Sequence, residues 1–405
     1  MFQNQEITKD VFYVGVNDRQ KHKFENMLPL PQGVSYNSYL IVDEKTALVD
    51  TVDIAMGDIF IEKIQSQLQG RTLDYLIINH MEPDHSGSLK LLRKYYPEMQ
   101  IVGNSKTLDM VYGFYEVTGK TLEIKDEDTL VLGKHKLQFH LTPMVHWPET
   151  MMTYEITEQI LFSGDAFGCF GTLDGAVVDE NMNVDKYWDE MTRYYANIVG
   201  KYGSAVQKAL KKLTPLDINY ICSTHGPVWK EYITKVVDVY DQLSRYETNE
   251  GVVIVYGSMY GNTELMAETV AQGVAQAGIK DVIIHNVSKS DPSVIIQDIF
   301  KYRGLIVGSP TYCNELYPEV ESLLSKIEIR GIKNHIFGCF GSYTWASAAV
   351  KRLTTFVETM KWTSAEIMVD EKQGLKKDNY QACLELGSQV AALVKSFKCD
   401  PPHCV

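Results

Sequence analysis

In Asn79-His80-Met81-Glu82-Pro83-Asp84-His85, metal-capable side chains crowd into one short stretch, and this H-x-E-x-D-H run constrains the fold more than any other feature of the chain. Side chains two apart on an extended loop project the same way, so such a run can serve two adjacent cations. Three further segments carry the same kinds of donor: Val145-His146-Trp147, Ser163-Gly164-Asp165-Ala166 and Ser223-Thr224-His225-Gly226. The apolar run 73–78 reads as a buried strand that ends where the polar donors begin. Leu161-Phe162-Ser163 and Tyr220-Ile221-Cys222 deliver Asp165 and His225 in the same way, and Pro143 interrupts the strand before His146. A histidine alone is more often a hydrogen-bonded core or surface residue. The joint order, with each donor at a strand end, points to a dinuclear metal site built from His80, Glu82, Asp84, His85, His146, Asp165 and His225.

This pattern resembles the metallo-β-lactamase superfamily, whose usual dizinc hydrolases carry His where this chain has Glu82. A carboxylate in place of an imidazole adds a hard, anionic oxygen donor, which favours iron over zinc. The resemblance therefore implies an αββα sandwich with a redox-active centre.

The second half supplies a reason for redox chemistry. Gly251-Val252-Val253-Ile254-Val255-Tyr256 reads as a buried parallel strand running into Gly257-Ser258-Met259-Tyr260-Gly261-Asn262-Thr263 and then a helical pattern. Hydroxyl and amide side chains, with the free N–H groups of a first helical turn, hold a phosphate without Lys or Arg. Neither G-x-x-x-x-G-K-[ST] nor G-x-G-x-x-G occurs there, which disfavours a nucleoside triphosphate or a dinucleotide. From this loop alone, an ordinary strand-to-helix turn is the competing reading. Further strands are expected at 281–287, 304–308, 335–340 and 365–369, separated by helical stretches, which makes a doubly wound parallel sheet of five strands.

The loop resembles that of flavodoxin, whose strand order 2-1-3-4-5 puts the ligand at the carboxyl ends of the first, third and fourth strands. Ser309-Pro310-Thr311-Tyr312-Cys313-Asn314 and Gly341-Ser342-Tyr343-Thr344-Trp345 stand there in this chain. The resemblance implies FMN held by Ser258, Met259, Tyr260, Gly261, Asn262, Thr263, Ser309, Pro310, Thr311, Tyr312, Asn314, Gly341, Ser342, Tyr343 and Trp345. Tyr312 or Trp345 would cover a ring face; taken singly, either could instead be a core or interface aromatic.

Together the halves resemble the flavodiiron proteins, and the resemblance covers nearly the whole chain. Ser35-Tyr36-Asn37-Ser38-Tyr39-Leu40, His146-Trp147-Pro148 and His225-Gly226-Pro227-Val228-Trp229 are phrases typical of that family. It implies a metallo-β-lactamase-like diiron domain over 1–250, a flavodoxin-like domain over 251–398 and a tail over 399–405. It also implies that His80, Glu82 and His146 bind one iron, that Asp84, His85 and His225 bind the other, and that Asp165 bridges them. One departure is Glu25 in Phe24-Glu25-Asn26, where many members carry His.

The activity implied is reduction of dioxygen to water, of nitric oxide to nitrous oxide, or both, with electrons passed through FMN from an external donor, rubredoxin or reduced deazaflavin F420. A head-to-tail homodimer or tetramer is implied as well. Two other readings are a dizinc hydrolase fused to a flavin module and a non-enzymatic redox sensor or carrier; Glu82 and the full donor set weigh against them.

Composition is consistent with a two-domain protein of 405 residues. The net charge of -13 is spread without a long acidic block or a basic stripe, which speaks against nucleic acid and for a charge-matched donor. Met1 to Asp10 lacks a charged-then-apolar leader and no long apolar span follows, so a cytoplasmic protein without a membrane segment is expected. Seven cysteines without a C-x-x-C pair suggest reduced thiols and no fused rubredoxin-like domain, and Cys399 and Cys404 are assigned no role.

Overall fold

The computed structural model describes residues 4–397, so Cys399 and Cys404 lie outside the described residues. The chain divides into two compact units. One is formed by residues up to Tyr195 with Ser204–Asp241, the other by Ala196–Gly203 and the chain from Gln242 on. The boundary expected near residue 250 falls inside the strand Asn249–Tyr256, and Ala196–Gly203 groups with the second unit rather than the first. Among the described residues no helix is long and apolar enough to cross a membrane.

Two large sheets, with two short strand pairs beside them, frame the first unit. Seven strands run in the order Gln5–Thr8, Val11–Tyr13, Tyr39–Val42, Thr46–Val49, Tyr75–Ile77, Gln100–Gly103, Thr121–Glu123. Five more run Thr129–Val131, Lys136–Leu141, Met151–Glu155, Ile160–Gly164, Tyr220–Ser223. The sheets meet where the Tyr39 and Phe162 rings lie 5.3 Å apart and where the Tyr39 hydroxyl donates to Ser223 O at 2.7 Å. Tyr75–Ile77 lies between parallel neighbours, and Leu76, Ile77 and the following Ile78 are fully buried. A strand covered on both faces needs such a continuous apolar run, and each side chain so buried stabilises the fold by about 1.5–3 kcal/mol. The strand stops short of residue 78 because the next amide, that of Asn79, donates to Asp50 Oδ1 at 2.8 Å rather than to a neighbouring strand. That switch releases the backbone just before His80.

The helix Gly57–Leu68 buries Phe60, Ile61, Ile64 and Leu68 at helical spacing and ends on Gln69 in the left-handed region. Ile59 and Lys63 fall outside that buried stripe.

The second unit is a parallel sheet in the order Val282–Asn286, Asn249–Tyr256, Tyr302–Tyr312, Ile336–Tyr343, Thr363–Ser364, which is the order 2-1-3-4-5. The fifth strand differs from expectation. In place of one strand over 365–369 there are two short pieces, Thr363–Ser364 and Val369–Lys372, both parallel to Ile336–Tyr343. The ladder breaks between them because the Ile367 amide donates to the Gln389 side chain at 2.9 Å. Helices Asn262–Gln276 and Lys377–Ser396 cross at Gly273 and Gly387, where a Cβ would stand 2.2 Å from Leu384 O or from Val270 O, so only glycine permits this approach.

Candidate metal centre and flavin cleft

The loop expected to be extended is half helical. Pro83–Ser86 form one turn begun by Pro83, whose fixed φ and missing N–H suit a first helical position. That turn parts the donors into two buried groups: His80, Glu82, His146 and Asp165 in one, Asp84, His85 and His225 in the other. Asp165 stands between them. Its Oδ2 lies 3.1 Å from His146 Nε2 and 3.4 Å from His80 Nε2, while its Oδ1 lies 2.8 Å from His85 Nε2 and 3.7 Å from His225 Nε2. Glu82 Oε2 sits 3.3 Å from His80 Nε2 and 3.2 Å from His146 Nε2. Asp84 Oδ2 is 3.4 Å from His85 Nε2 and 3.3 Å from His225 Nε2.

These residues fit metal cations. Both carboxylate oxygens of Asp84, both ring nitrogens of His85 and Nε2 of His225 are buried with no hydrogen-bond partner among the described residues. Leaving a buried polar atom unpaired costs about 1–3 kcal/mol, and one cation facing Asp84, His85 Nε2 and His225 Nε2 would satisfy an atom of each of the three residues. His85 Nε2 and Asp165 Oδ1 are close without the alignment of a hydrogen bond, as expected of atoms directed at a common point. Two rings are also fixed from behind, His80 through Nδ1 on Glu149 Oε1 at 2.8 Å and His225 through Nδ1 on Ser35 O at 2.7 Å, so each turns Nε2 inward.

Charge states follow from this crowding. Burial lowers the His85 imidazole, but Asp84 and Asp165 outweigh it and lift it to about 9. Burial likewise opposes His146, which Asp165 and Glu82 raise to about 9. Asp165 is held well below the usual carboxylate range despite its burial, by His85, His146 and His80. Glu25 and Asn26 both adopt positive φ, at 47° and 56°, in the turn between the strands Lys23–Phe24 and Leu28–Pro29. The buried Phe24 ring packs 5.4 Å from His225. Burial together with the facing Glu82 raises the Glu25 carboxyl to about 7.

Three groups orient the donors, a role that sequence reasoning does not give them: Glu149, Ser35 and Thr224, whose hydroxyl donates to Asp165 Oδ1 at 2.6 Å. The available signal for Glu149 was a carboxylate three residues beyond His146 in a turn-forming segment.

In the second unit two adjoining clefts open at the carboxyl ends of the first, third and fourth strands. The smaller, about 110 Å³, is lined by Ser258, Asn262, Thr263, Pro310, Ser342 and Tyr343. The larger, about 350 Å³, is lined by Met259, Tyr260, Thr311, Tyr312, Asn314 and Trp345. Gly261 has no side chain to cap the helix Asn262–Gln276, Ser258 Oγ accepts the Gly261 and Glu264 amides at 3.1 and 3.4 Å, and the Thr263 and Ser342 hydroxyls meet at 2.9 Å on the cleft floor. Those features suit a phosphate. Tyr260 and Trp345 are 92% and 84% exposed beside the larger cleft, bare rings that suit a planar ring system.

Gly261, Ser309 and Gly341 do not line either cleft. Gly261 supplies a left-handed turn with φ 93°. Ser309 accepts the Tyr317 amide at 3.0 Å, and Gly341 is packed so that a Cβ would meet Asp370 and Val350 at 3.0 Å. Gln373 also lines the smaller cleft; it directly follows the strand piece whose position the sequence pattern misses.

Residues 34–226 match the family described as ODP family beta lactamase, and residues 254–387 match flavodoxin. An uncharacterised protein of Methanocaldococcus jannaschii is 33% identical over 394 residues, spanning 95% of this chain and 98% of that protein. The anaerobic nitric oxide reductase flavorubredoxin of Escherichia coli is 30% identical over 391 residues, spanning 95% of this chain and 81% of that protein. Among solved structures, the rubredoxin oxygen:oxidoreductase of Desulfovibrio gigas matches with a TM-score of 0.94 at 29% identity, covering 97% of this chain and 99% of that one. The flavodiiron protein of Giardia intestinalis matches with a TM-score of 0.94 at 25% identity, covering 100% and 98%.

Proposed function

The chain belongs to the flavodiiron proteins, and from that premise we propose that it is an oxidoreductase reducing dioxygen to water, nitric oxide to nitrous oxide, or both, with electrons passed through FMN. The observation that carries this reading is Asp165, whose two oxygens face two separate buried donor groups in a chain that also has a flavodoxin-like unit.

His80, Glu82 and His146 would hold one iron, Asp84, His85 and His225 the other, and Asp165 both. The harder oxygen donor Glu82 supports iron over zinc and counts against the dizinc hydrolase reading. The loop 258–263 would hold the FMN phosphate, and Tyr312 or Trp345 a flavin face. When bound, two irons and a flavin supply up to four electrons: dioxygen takes four with four protons to give two waters, and two nitric oxide molecules take two with two protons to give nitrous oxide and water.

The chain's own residues prepare the site for this chemistry. Glu149 and Ser35 fix the His80 and His225 rings. Phe24, Tyr36 and Tyr194 crowd the His225 ring at 5.4, 5.9 and 5.5 Å and exclude water from that side. The Glu25 carboxyl, raised to about 7, keeps a proton part of the time near neutral pH and can release it beside Glu82.

The external donor belongs to the same proposal, as rubredoxin or reduced deazaflavin F420; the names of two relatives support rubredoxin. A head-to-tail homodimer or tetramer in the cytoplasm completes it, tested by light-scattering mass and cell fractionation. Activity is tested anaerobically. Protein loaded with iron and FMN is reduced chemically, and dioxygen and nitric oxide consumption are followed in separate electrode assays. Dioxygen uptake without peroxide, or nitric oxide loss with nitrous oxide formed, is expected. Neither gas consumed with both cofactors bound would end this reading.

A further inference from the structure

The first unit has a cavity of about 320 Å³ which none of the seven donors lines; Tyr13, Val16, Met56, Ile59, Lys63 and Val177 form much of its wall. Met56, Ile59 and Lys63 recur at helical spacing at the start and along the helix Gly57–Leu68, so one face of that helix presents two apolar side chains and one cation.

Lys63 is the unusual member. Its Nζ donates to Gly15 O and stands 5.0 Å over the Tyr13 ring. Burial lowers the amine to about 8, and no carboxylate among the described residues opposes that shift. A half-buried ammonium without an anion is costly, and lysines are rarely buried unless paired. The other polar side chains of the lining are already engaged. The Tyr13 hydroxyl donates to Asn37 Oδ1 at 3.1 Å, the Gln5 amide donates to Gly175 O at 2.9 Å, and the Asn17 amide both donates to Leu173 O at 2.9 Å and accepts its N–H at 2.8 Å. A ligand therefore meets one cationic anchor, side-chain amides that are already hydrogen-bonded, and the apolar side chains of Val16, Met56 and Ile59. A phosphate dianion is best held by several converging charged donors, and Lys63 is the one cationic side chain of this lining. A single carboxylate on an apolar body needs one cation and apolar contact.

We propose that this cavity binds a small monocarboxylate with an apolar body, its carboxylate on Lys63 Nζ and its body against Val16, Met56 and Ile59.

The test is calorimetric titration of the iron- and FMN-loaded protein with benzoate, and separately with inorganic phosphate. One benzoate per chain is expected, with Lys63→Met weakening it at least tenfold while iron and FMN contents stay unchanged. Affinity should also fall as pH rises through about 8, where the amine loses its charge. A measurement on the unmodified chain guards against a misfolded variant: benzoate should protect Lys63 from trinitrobenzenesulfonate labelling, read by peptide mass mapping. Absence of protection, equal benzoate binding by Lys63→Met, or phosphate binding in preference to benzoate would each overturn the proposal.

Discussion

Glu149 Oε1 stands 2.8 Å from His80 Nδ1, and the same oxygen accepts the Met81 amide at 2.9 Å. One buried carboxylate thus fixes both the ring and the backbone of the loop that bears four of the seven donors. With Nδ1 engaged, His80 presents Nε2 toward Glu82 and Asp165. Glu149→Ala is expected to lower iron affinity by about 10–100-fold, the usual effect of removing a group that orients a metal-binding histidine. Chelator competition measures it, and FMN content should not change; an unaltered iron affinity would reduce Glu149 to a packing residue.

Glu82 tests the choice of metal. Glu82→His replaces a hard anionic oxygen with an imidazole, so the variant should shift toward zinc when iron and zinc are offered together. Metal analysis of both proteins after identical loading decides this. An unchanged iron-to-zinc ratio would show that Glu82 does not select the metal.

The sequence revealed the donors more readily than what orients them, for a physical reason. His80, Asp165 and His225 are rare polar types at the ends of apolar runs, and that contrast is local. Ser35 acts through a backbone carbonyl on His225, 190 positions away, and Glu149 acts on His80 across 69, so their orienting roles rest on contacts distant in sequence. The same division holds in the second unit. The strand Asn249–Tyr256 shows itself as an apolar run because both faces are covered. The fifth strand does not, because its break depends on Gln389 taking the Ile367 amide, and Gln373 was missed with it.

The flavin cleft is tested by Trp345→Ala and Thr263→Val. Removing an exposed ring that stacks on a ligand, or one hydroxyl of the paired Thr263 and Ser342, should raise the FMN dissociation constant about tenfold, equivalent to about 1.4 kcal/mol. Fluorescence titration of flavin-free protein measures it. Iron content should hold, since these residues and the seven donors lie in different units; iron lost together with flavin would contradict that independence.

In metal-free protein the ionised groups make stability depend on pH from both sides. His85 and His146 sit at about 9 in the folded chain, against an ordinary value of about 6.5. Their raised values contribute stability fully below about 6.5, and that contribution is lost as pH rises toward 9. Asp165 and Glu82 are held below the usual range, so they contribute above about 4.3 and lose that contribution as pH falls. Glu25, lifted to about 7, favours the folded chain less and less between about 4.3 and 7. The melting temperature of chelator-treated protein should therefore be highest at mildly acidic pH and fall on both sides. The same protons oppose the metal, because an imidazole must lose its proton before it can coordinate. Ferrous or zinc affinity should accordingly rise with pH up to about 9, with proton release visible as a buffer-dependent binding enthalpy. A metal affinity that stays flat between pH 6.5 and 9 would mean that His85 and His146 are already neutral, and that the carboxylates around Asp165 do not hold the charge that their positions imply.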